Sequence, residues 1–178
     1  MKIRIAKFIA DSGITSRRGA EQMIADGRVM VNGETIKTPV HFVNDSDEIV
    51  LDGKKIEKRN DTKVYAFHKP IDTVTTTRDP RGRNTIYDIL PREYRNLKYI
   101  GRLDYKTTGL LLMTNDGILA RKLTLPNSNI PRVYLADVAG NNMSKLDRAR
   151  NGVTIDGITY RPMKIEIMPD KRLRVTVT

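Results

Sequence analysis

The sequence predicts an α+β chain, a small helix-and-hairpin module followed by a larger domain built on a mixed, mainly antiparallel sheet. Three observations carry this. Helical spacing of apolar residues dominates the first 25 or so positions, and strand-like runs dominate after residue 63. Asn32-Gly33 and Asp52-Gly53 are strong hairpin signals in the first part. Residues 58–63, Lys-Arg-Asn-Asp-Thr-Lys, contain no apolar side chain and read as a linker. The expected organisation is therefore a module at 1–58, a linker at 59–63 and a second domain at 64–178.

Each element has a local reason. Ile5, Phe8 and Ile9 recur at helical spacing, and Gly13 can end that helix in the left-handed region. Ser16 is a good N-cap for a second helix with Ala20, Met23 and Ile24 on one face and Gly27 closing it. Arg28–Val31 and Glu34–Ile36 read as strands about Asn32-Gly33, and 48–51 and 54–56 as strands about Asp52-Gly53. In the second domain, 64–67 and 109–113 read as strands. Gly109-Leu110-Leu111-Leu112-Met113 is continuously apolar, as expected of a strand buried on both faces. Helices are expected at about 84–90, 117–124 and 143–150, with later strands at 132–138, 163–168 and 172–177.

Composition narrows the function. The chain has 178 residues, of which 39% are hydrophobic and 30% charged. No run approaches the roughly 18 apolar residues of a membrane span. Met1–Lys7 alternates charged and apolar residues and lacks the apolar core of a signal peptide, so a cytoplasmic protein is expected. There is no cysteine and only His41 and His68, which leaves little for a metal site. Lys and Arg number 32 against 21 Asp and Glu, a net charge of +11 that suggests a polyanionic partner, most simply nucleic acid.

The basic charge is uneven. Residues 2–31 carry six basic and three acidic side chains, whereas 32–59 carry five and six. Arg17 and Arg18 fall at the predicted start of the second helix, where free N–H groups and the helix dipole favour a phosphate, and Lys7 and Arg28 could extend that patch. A merely solvated helix face fits charge alone equally well. The runs Ala6–Arg18 and Ile24–Gly33, with the paired arginines and Gly27-Arg28-Val29-Met30-Val31-Asn32-Gly33, resemble the alpha-L RNA-binding module named for a small-subunit ribosomal protein. The resemblance covers about residues 2–57 and implies binding of structured RNA through shape and phosphate contacts.

In the second domain, Gly101-Arg102-Leu103-Asp104 precedes the apolar strand and puts a carboxylate and a guanidinium on a loop held by that strand. A lone loop aspartate is more often a turn former. The whole run 101–117, Gly-Arg-Leu-Asp-x-x-Thr-x-Gly-Leu-Leu-Leu-x-Thr-Asn-Asp-Gly, resembles the signature of pseudouridine synthases that modify ribosomal RNA at single sites. Lys69-Pro70, the run Val74–Arg83 and Pro131-Arg132-Val133-Tyr134 resemble further blocks of that family, and the central run is most similar to members acting on large-subunit rRNA.

That resemblance implies a pseudouridine synthase fold and an intramolecular isomerisation of uridine in rRNA, without metal or cofactor. It implies Asp104 as nucleophile, attacking either the ribose or the uracil ring. Arg102 would position Asp104 or a neighbouring phosphate, and Tyr134 would stack on the uracil. Lys69, Arg81 and Arg83 would contact RNA. The implied partner is ribosomal RNA, with the protein a monomer and no membrane involved.

Two departures from the family pattern stand out. Lys69-Pro70-Ile71-Asp72 replaces the usual Lys-Pro-x-Gly, a change that aspartate's tolerance of left-handed backbone can absorb. The family also continues past a strand like Arg172–Thr178 with a basic segment supplying an arginine partner for the aspartate, so the catalytic domain is expected to be incomplete at its C-terminus. A non-catalytic RNA-binding remnant is the competing expectation, and a DNA-binding regulator fits less well because no helix-turn-helix pattern is evident.

Overall fold

The computed structural model of the chain describes residues 2–57, 61–139 and 143–178. Strand β1 (Ile3–Arg4) runs directly into helix α1 (Ile5–Asp11), whose Ile5, Phe8 and Ile9 form one buried face. Gly13 takes φ 83°, the left-handed conformation its position predicts. Helix α2 (Arg17–Ala25) is capped by Ser16, whose hydroxyl accepts from the Gly19 N–H at 3.1 Å.

Strands β2 (Val29–Val31) and β3 (Glu34–Ile36) turn at Asn32-Gly33, with φ of 50° and 84°. Two successive positive φ values suit the strand twist, which is why an Asn-Gly pair marks such a hairpin. Strand β4 (Phe42–Val43) pairs with β1, and β5 (Ile49–Leu51) and β6 (Lys54–Lys55) turn at Asp52-Gly53. The antiparallel order is β3-β2-β5-β6. Inward-facing Val29, Val31, Ile49 and Leu51 join the buried faces of α1 and α2 in one core that also takes in Val43 and Ile56.

A second core belongs to the next segment. Strand β7 (Val64–Lys69), helix α3 (Ile86–Ile89), strands β8 (Lys98–Ile100) and β9 (Gly109–Thr114) and helix α4 (Gly117–Thr124) follow in order. The sheet order is β7-β9-β8, all antiparallel. Leu111 and Met113 pack with Ile86, Leu90 and Leu97. The expectation that β9 is buried on both faces is not met: Leu110 is 66% exposed while Leu111 is 2%. Successive side chains point to opposite faces of the sheet, and only the face carrying Leu111 and Met113 is covered by this core.

The chain divides after Thr124 into two compact units. Residues 59–63 lie in sequence between the two cores of the first unit. Of that expected linker, 59 and 60 fall outside the described residues. The remaining part is held in place: Lys63 N donates to Asn115 Oδ1 at 2.8 Å, and the Thr62 hydroxyl donates to Asp116 Oδ2 at 3.0 Å.

The second unit begins at Leu125 and contains β10 (Arg132–Ala136), α5 (Met143–Asn151), β11 (Val153–Ile155), β12 (Ile158–Tyr160), β13 (Lys164–Ile167) and β14 (Leu173–Val177). Its sheet has the antiparallel order β10-β14-β13, and β11 and β12 form a separate hairpin about Asp156-Gly157 that the sequence reading did not include. Among the described residues no helix is long and apolar enough to cross a membrane.

Candidate active site

Asp104 sits on the loop between β8 and β9, and almost every residue of that loop is tied to a neighbouring segment. The Thr75 hydroxyl, 1% exposed, donates to Leu103 O at 2.8 Å and accepts from Leu103 N at 3.3 Å. Thr107 N donates to Asp104 O at 3.0 Å, closing a turn around the aspartate. Asp72 N donates to Tyr105 O at 2.9 Å, and Lys106 Nζ donates to Asp72 Oδ1 at 2.6 Å. Asp72 has φ 60°, so the aspartate does adopt the left-handed turn, and its carboxylate adds a tie to the loop.

Lys69 closes the circuit from beneath. It lies at the end of β7, opposite Gly109 in the ladder, and is fully buried. Its ammonium donates to Thr107 O at 2.7 Å and to Pro70 O at 2.9 Å, and its own carbonyl accepts from the Thr108 hydroxyl at 2.8 Å. Burial pushes the ammonium below its ordinary pKa, while the negative charges of Asp104 and then Asp72 oppose that shift. The expected RNA contact by Lys69 is therefore corrected, because a side chain with no exposed surface and its donors on backbone carbonyls cannot reach a phosphate.

Against this rigid surround, the Asp104 residue is exposed, and its carboxylate accepts no hydrogen bond and forms no ion pair among the described residues. Arg102 is also exposed, with no ion pair to Asp104. Of its two expected roles, direct pairing with the aspartate is absent from this geometry, and contact with a phosphate is left. Tyr105, next to Asp104, lies under two cations: Arg83 Cζ is 5.5 Å and Lys106 Nζ 5.3 Å from its ring centroid.

Arg83 is itself held by Asp79, with Nε and Nη2 donating to the two carboxylate oxygens at 3.0 and 2.9 Å, and its backbone N–H adding a bond of 2.9 Å. The guanidinium and the backbone N–H groups of Arg83 and Arg81 hold the Asp79 carboxyl down at about 2. Arg83 thus braces the aspartate loop through Tyr105, whereas Arg81 is exposed. Sequence reasoning missed Thr75, Asp79, Tyr105 and Lys106 as parts of the site. Only the opposite charges of Asp79 and Arg83 at a spacing of four offered a signal for any of them.

The remaining expected residues are distributed as follows. Arg17 and Arg18 are exposed at the start of α2, with no acidic residue in its first turn. Lys7 is paired with Asp11 one helical turn away, and Arg28 makes a bidentate pair with Asp52 at 2.9 and 2.6 Å. Tyr134 belongs to the second unit, half-buried on β10 opposite Val175.

A family model described as RNA pseudouridylate synthase matches residues 63–177, and an S4 domain model matches residues 3–49. The chain is 38% identical over 165 residues to an RNA pseudouridine synthase of Rickettsia typhi, covering 93% of this chain and 68% of that protein. It is 35% identical over 176 residues to the ribosomal large subunit pseudouridine synthase B of Bacillus subtilis, covering 98% and 72%. A crystal structure of a pseudouridylate synthase superimposes with a TM-score of 0.59 at 29% identity, covering 98% of this chain and 76% of that one. With an S4 RNA-binding domain ahead of a matched catalytic region, the chain belongs to the RNA pseudouridine synthase family, enzymes that isomerise uridine within RNA.

Proposed function

We propose that this enzyme acts on ribosomal RNA, at a uridine of the large subunit, with Asp104 as its nucleophile. The observation that carries the assignment of Asp104 is the loop itself: residues 103–108 are each anchored, and the one carboxylate they present has no partner among the described residues. An attacking group held in place by its surround and not by its own hydrogen bonds loses little on engaging substrate. The ribosomal target is supported by the likeness to the Bacillus subtilis protein named as a ribosomal large subunit pseudouridine synthase.

The reaction breaks the N1–C1′ bond of uridine and forms C5–C1′, with a proton leaving C5 and one arriving at N1. The product has the mass of the substrate. Because the glycosidic bond is inaccessible in a stacked helix, the uridine is flipped out to meet Asp104. The detached base must be retained while it turns, and a covalent link to the carboxylate serves that end. Arg102 is assigned to a phosphate flanking the flipped nucleotide, Tyr134 to stacking on the uracil, and Arg17, Arg18 and Arg81 to the RNA backbone.

The test is a pseudouridine assay on a large-subunit rRNA transcript with the unmodified chain and Asp104→Ala. Pseudouridine is expected with the former and none with the latter, at unchanged RNA affinity. Turnover by Asp104→Ala would remove Asp104 from the nucleophile's role. Activity confined to small-subunit transcripts would overturn the large-subunit assignment.

A further inference from the structure

Between the two cores of the first unit runs a groove of about 520 Å³ whose walls come from α1, the start of α2, the segment after α3 and α4. Its ionisable lining is unbalanced: Lys7, Arg17, Arg95, Lys98 and Arg121 against the single carboxylate of Asp11. Lys7 is neutralised by that Asp11, and the Lys98 ammonium leans on Asn115 O at 3.4 Å. Arg95 uses Nε on Leu90 O at 3.1 Å and lies near enough to Asp88 to lower that carboxyl, while its outer nitrogens make no hydrogen bond or ion pair among the described residues. Arg17 and Arg121 form no ion pair among the described residues.

The helix starts on this groove do not explain the accumulation of charge. Ser16 already accepts the Gly19 N–H of α2, and Asp116 Oδ1 accepts the Ile118 and Leu119 N–H groups of α4 at 2.7 and 3.1 Å. What faces the groove is guanidinium, from three separate elements, with one internal carboxylate already paired. Placing like charges around one concavity costs free energy in the unliganded protein, and that cost is offset when an anion enters. The groove is bridged at one point by Asn96 Nδ2 donating to Gly13 O at 3.1 Å, which links the S4 core to the catalytic core.

We infer that this groove holds a stretch of the substrate RNA's phosphodiester backbone away from the reacting nucleotide, with Arg95 and Arg121 of the catalytic half acting together with Arg17 of the S4 domain. The inference rests on reading the chain as an RNA-modifying enzyme and adds the surface on which the RNA lies. Guanidinium suits this task because its planar donors match phosphate oxygens in pairs. Arg95 and Arg121 lie outside the short runs that carry the sequence resemblance, though inside the matched region 63–177, and the fold brings them to the groove with Arg17.

The experiment measures binding of the whole 178-residue chain to a large-subunit rRNA transcript across a salt series, alongside pseudouridine formation. Arg95→Ala combined with Arg121→Ala is expected to weaken binding about tenfold or more at moderate salt. The slope of log K against log salt should fall in magnitude by roughly 1.4 to 1.8, the loss of two phosphate contacts. Arg95→Lys with Arg121→Lys should keep the slope of the unmodified chain, and so should Lys54→Ala, an exposed cation outside the groove. A double-alanine variant that is folded and keeps the unmodified slope overturns the inference, as does an unmodified chain with no salt-dependent RNA affinity. Absence of pseudouridine with the unmodified chain would instead sink the functional reading, and the salt slope would still decide the groove.

Discussion

At the scale of single residues, the site is built less from its nucleophile candidate than from the side chains beneath it. Thr75 shows this most directly. Its buried hydroxyl satisfies both backbone groups of Leu103, the residue before Asp104. Thr75→Val keeps the shape and removes the hydroxyl, leaving a buried N–H and C=O unpaired at a cost of about 1–3 kcal/mol. The aspartate's backbone should then wander, so kcat is expected to drop sharply with little change in KM for RNA, and Thr75→Ser should restore it. Loss of thermal stability with kcat intact well below the melting point would reduce Thr75 to a structural role. None of this was legible in the sequence. Asp104 and Arg102 stood out because they sit inside a dense family-like run, but Thr75 lies 28 residues from its partner and Lys69 lies 38 residues from Thr107. A lysine reads as exposed charge until the fold shows it buried, and here its ammonium is a bracket for two carbonyls.

At the scale of elements, legibility follows how local the determining physics is. Helix α2 and the hairpins at Asn32-Gly33 and Asp52-Gly53 are set by capping and turn chemistry within a few residues, and each appeared where expected. The same signal at Asp156-Gly157, with φ of 50° and 77°, was not read as a hairpin, although its three-residue strands are no shorter than those about Asn32-Gly33. Burial of both faces of β9 could not be read locally, since a run of leucines does not say whether a second layer covers it. The loop at 79–83 is the element whose behaviour the charges determine most clearly. The Asp79 side chain is 5% exposed and hydrogen-bonded to Arg83, and its carboxyl is lowered from the ordinary 3.8 to about 2. A carboxyl whose folded value is depressed stabilises the fold above its unfolded value, and that contribution disappears as pH falls through the folded one. The brace on Tyr105 should therefore persist at pH 4 and be lost as pH falls through about 2. NMR titration of the Asp79 carboxyl carbon with the Arg83 Nε–H would show it, and Asp79→Asn should abolish the acid step in the Arg83 signal. An Asp79 midpoint at its ordinary value would mean the pair does not persist in solution.

At the scale of the whole molecule, the two cores of the first unit raise the question of what folds with what. Every buried residue of the first core lies between Ile5 and Ile56, and the second core draws only on later residues. Helices α1 and α2 cover one face of the β3-β2-β5-β6 sheet, so the apolar surface of that module is closed internally. A module of this size buries a modest fraction of its surface and is expected to reach no more than about 3–5 kcal/mol of stability by itself. Residues 1–57 expressed alone should accordingly give helical circular dichroism and a cooperative but low urea midpoint. The full chain should unfold in more than one step, the first reported by probes within the S4 core. An unstructured fragment would show instead that the groove walls of the catalytic half, reached through Asn96 and Gly13, are needed to hold the S4 core together. In that case RNA binding and folding of the first unit would be one cooperative event, and the salt dependence of binding should be accompanied by a rise in the melting temperature on adding RNA that exceeds what occupancy of a prefolded site can give.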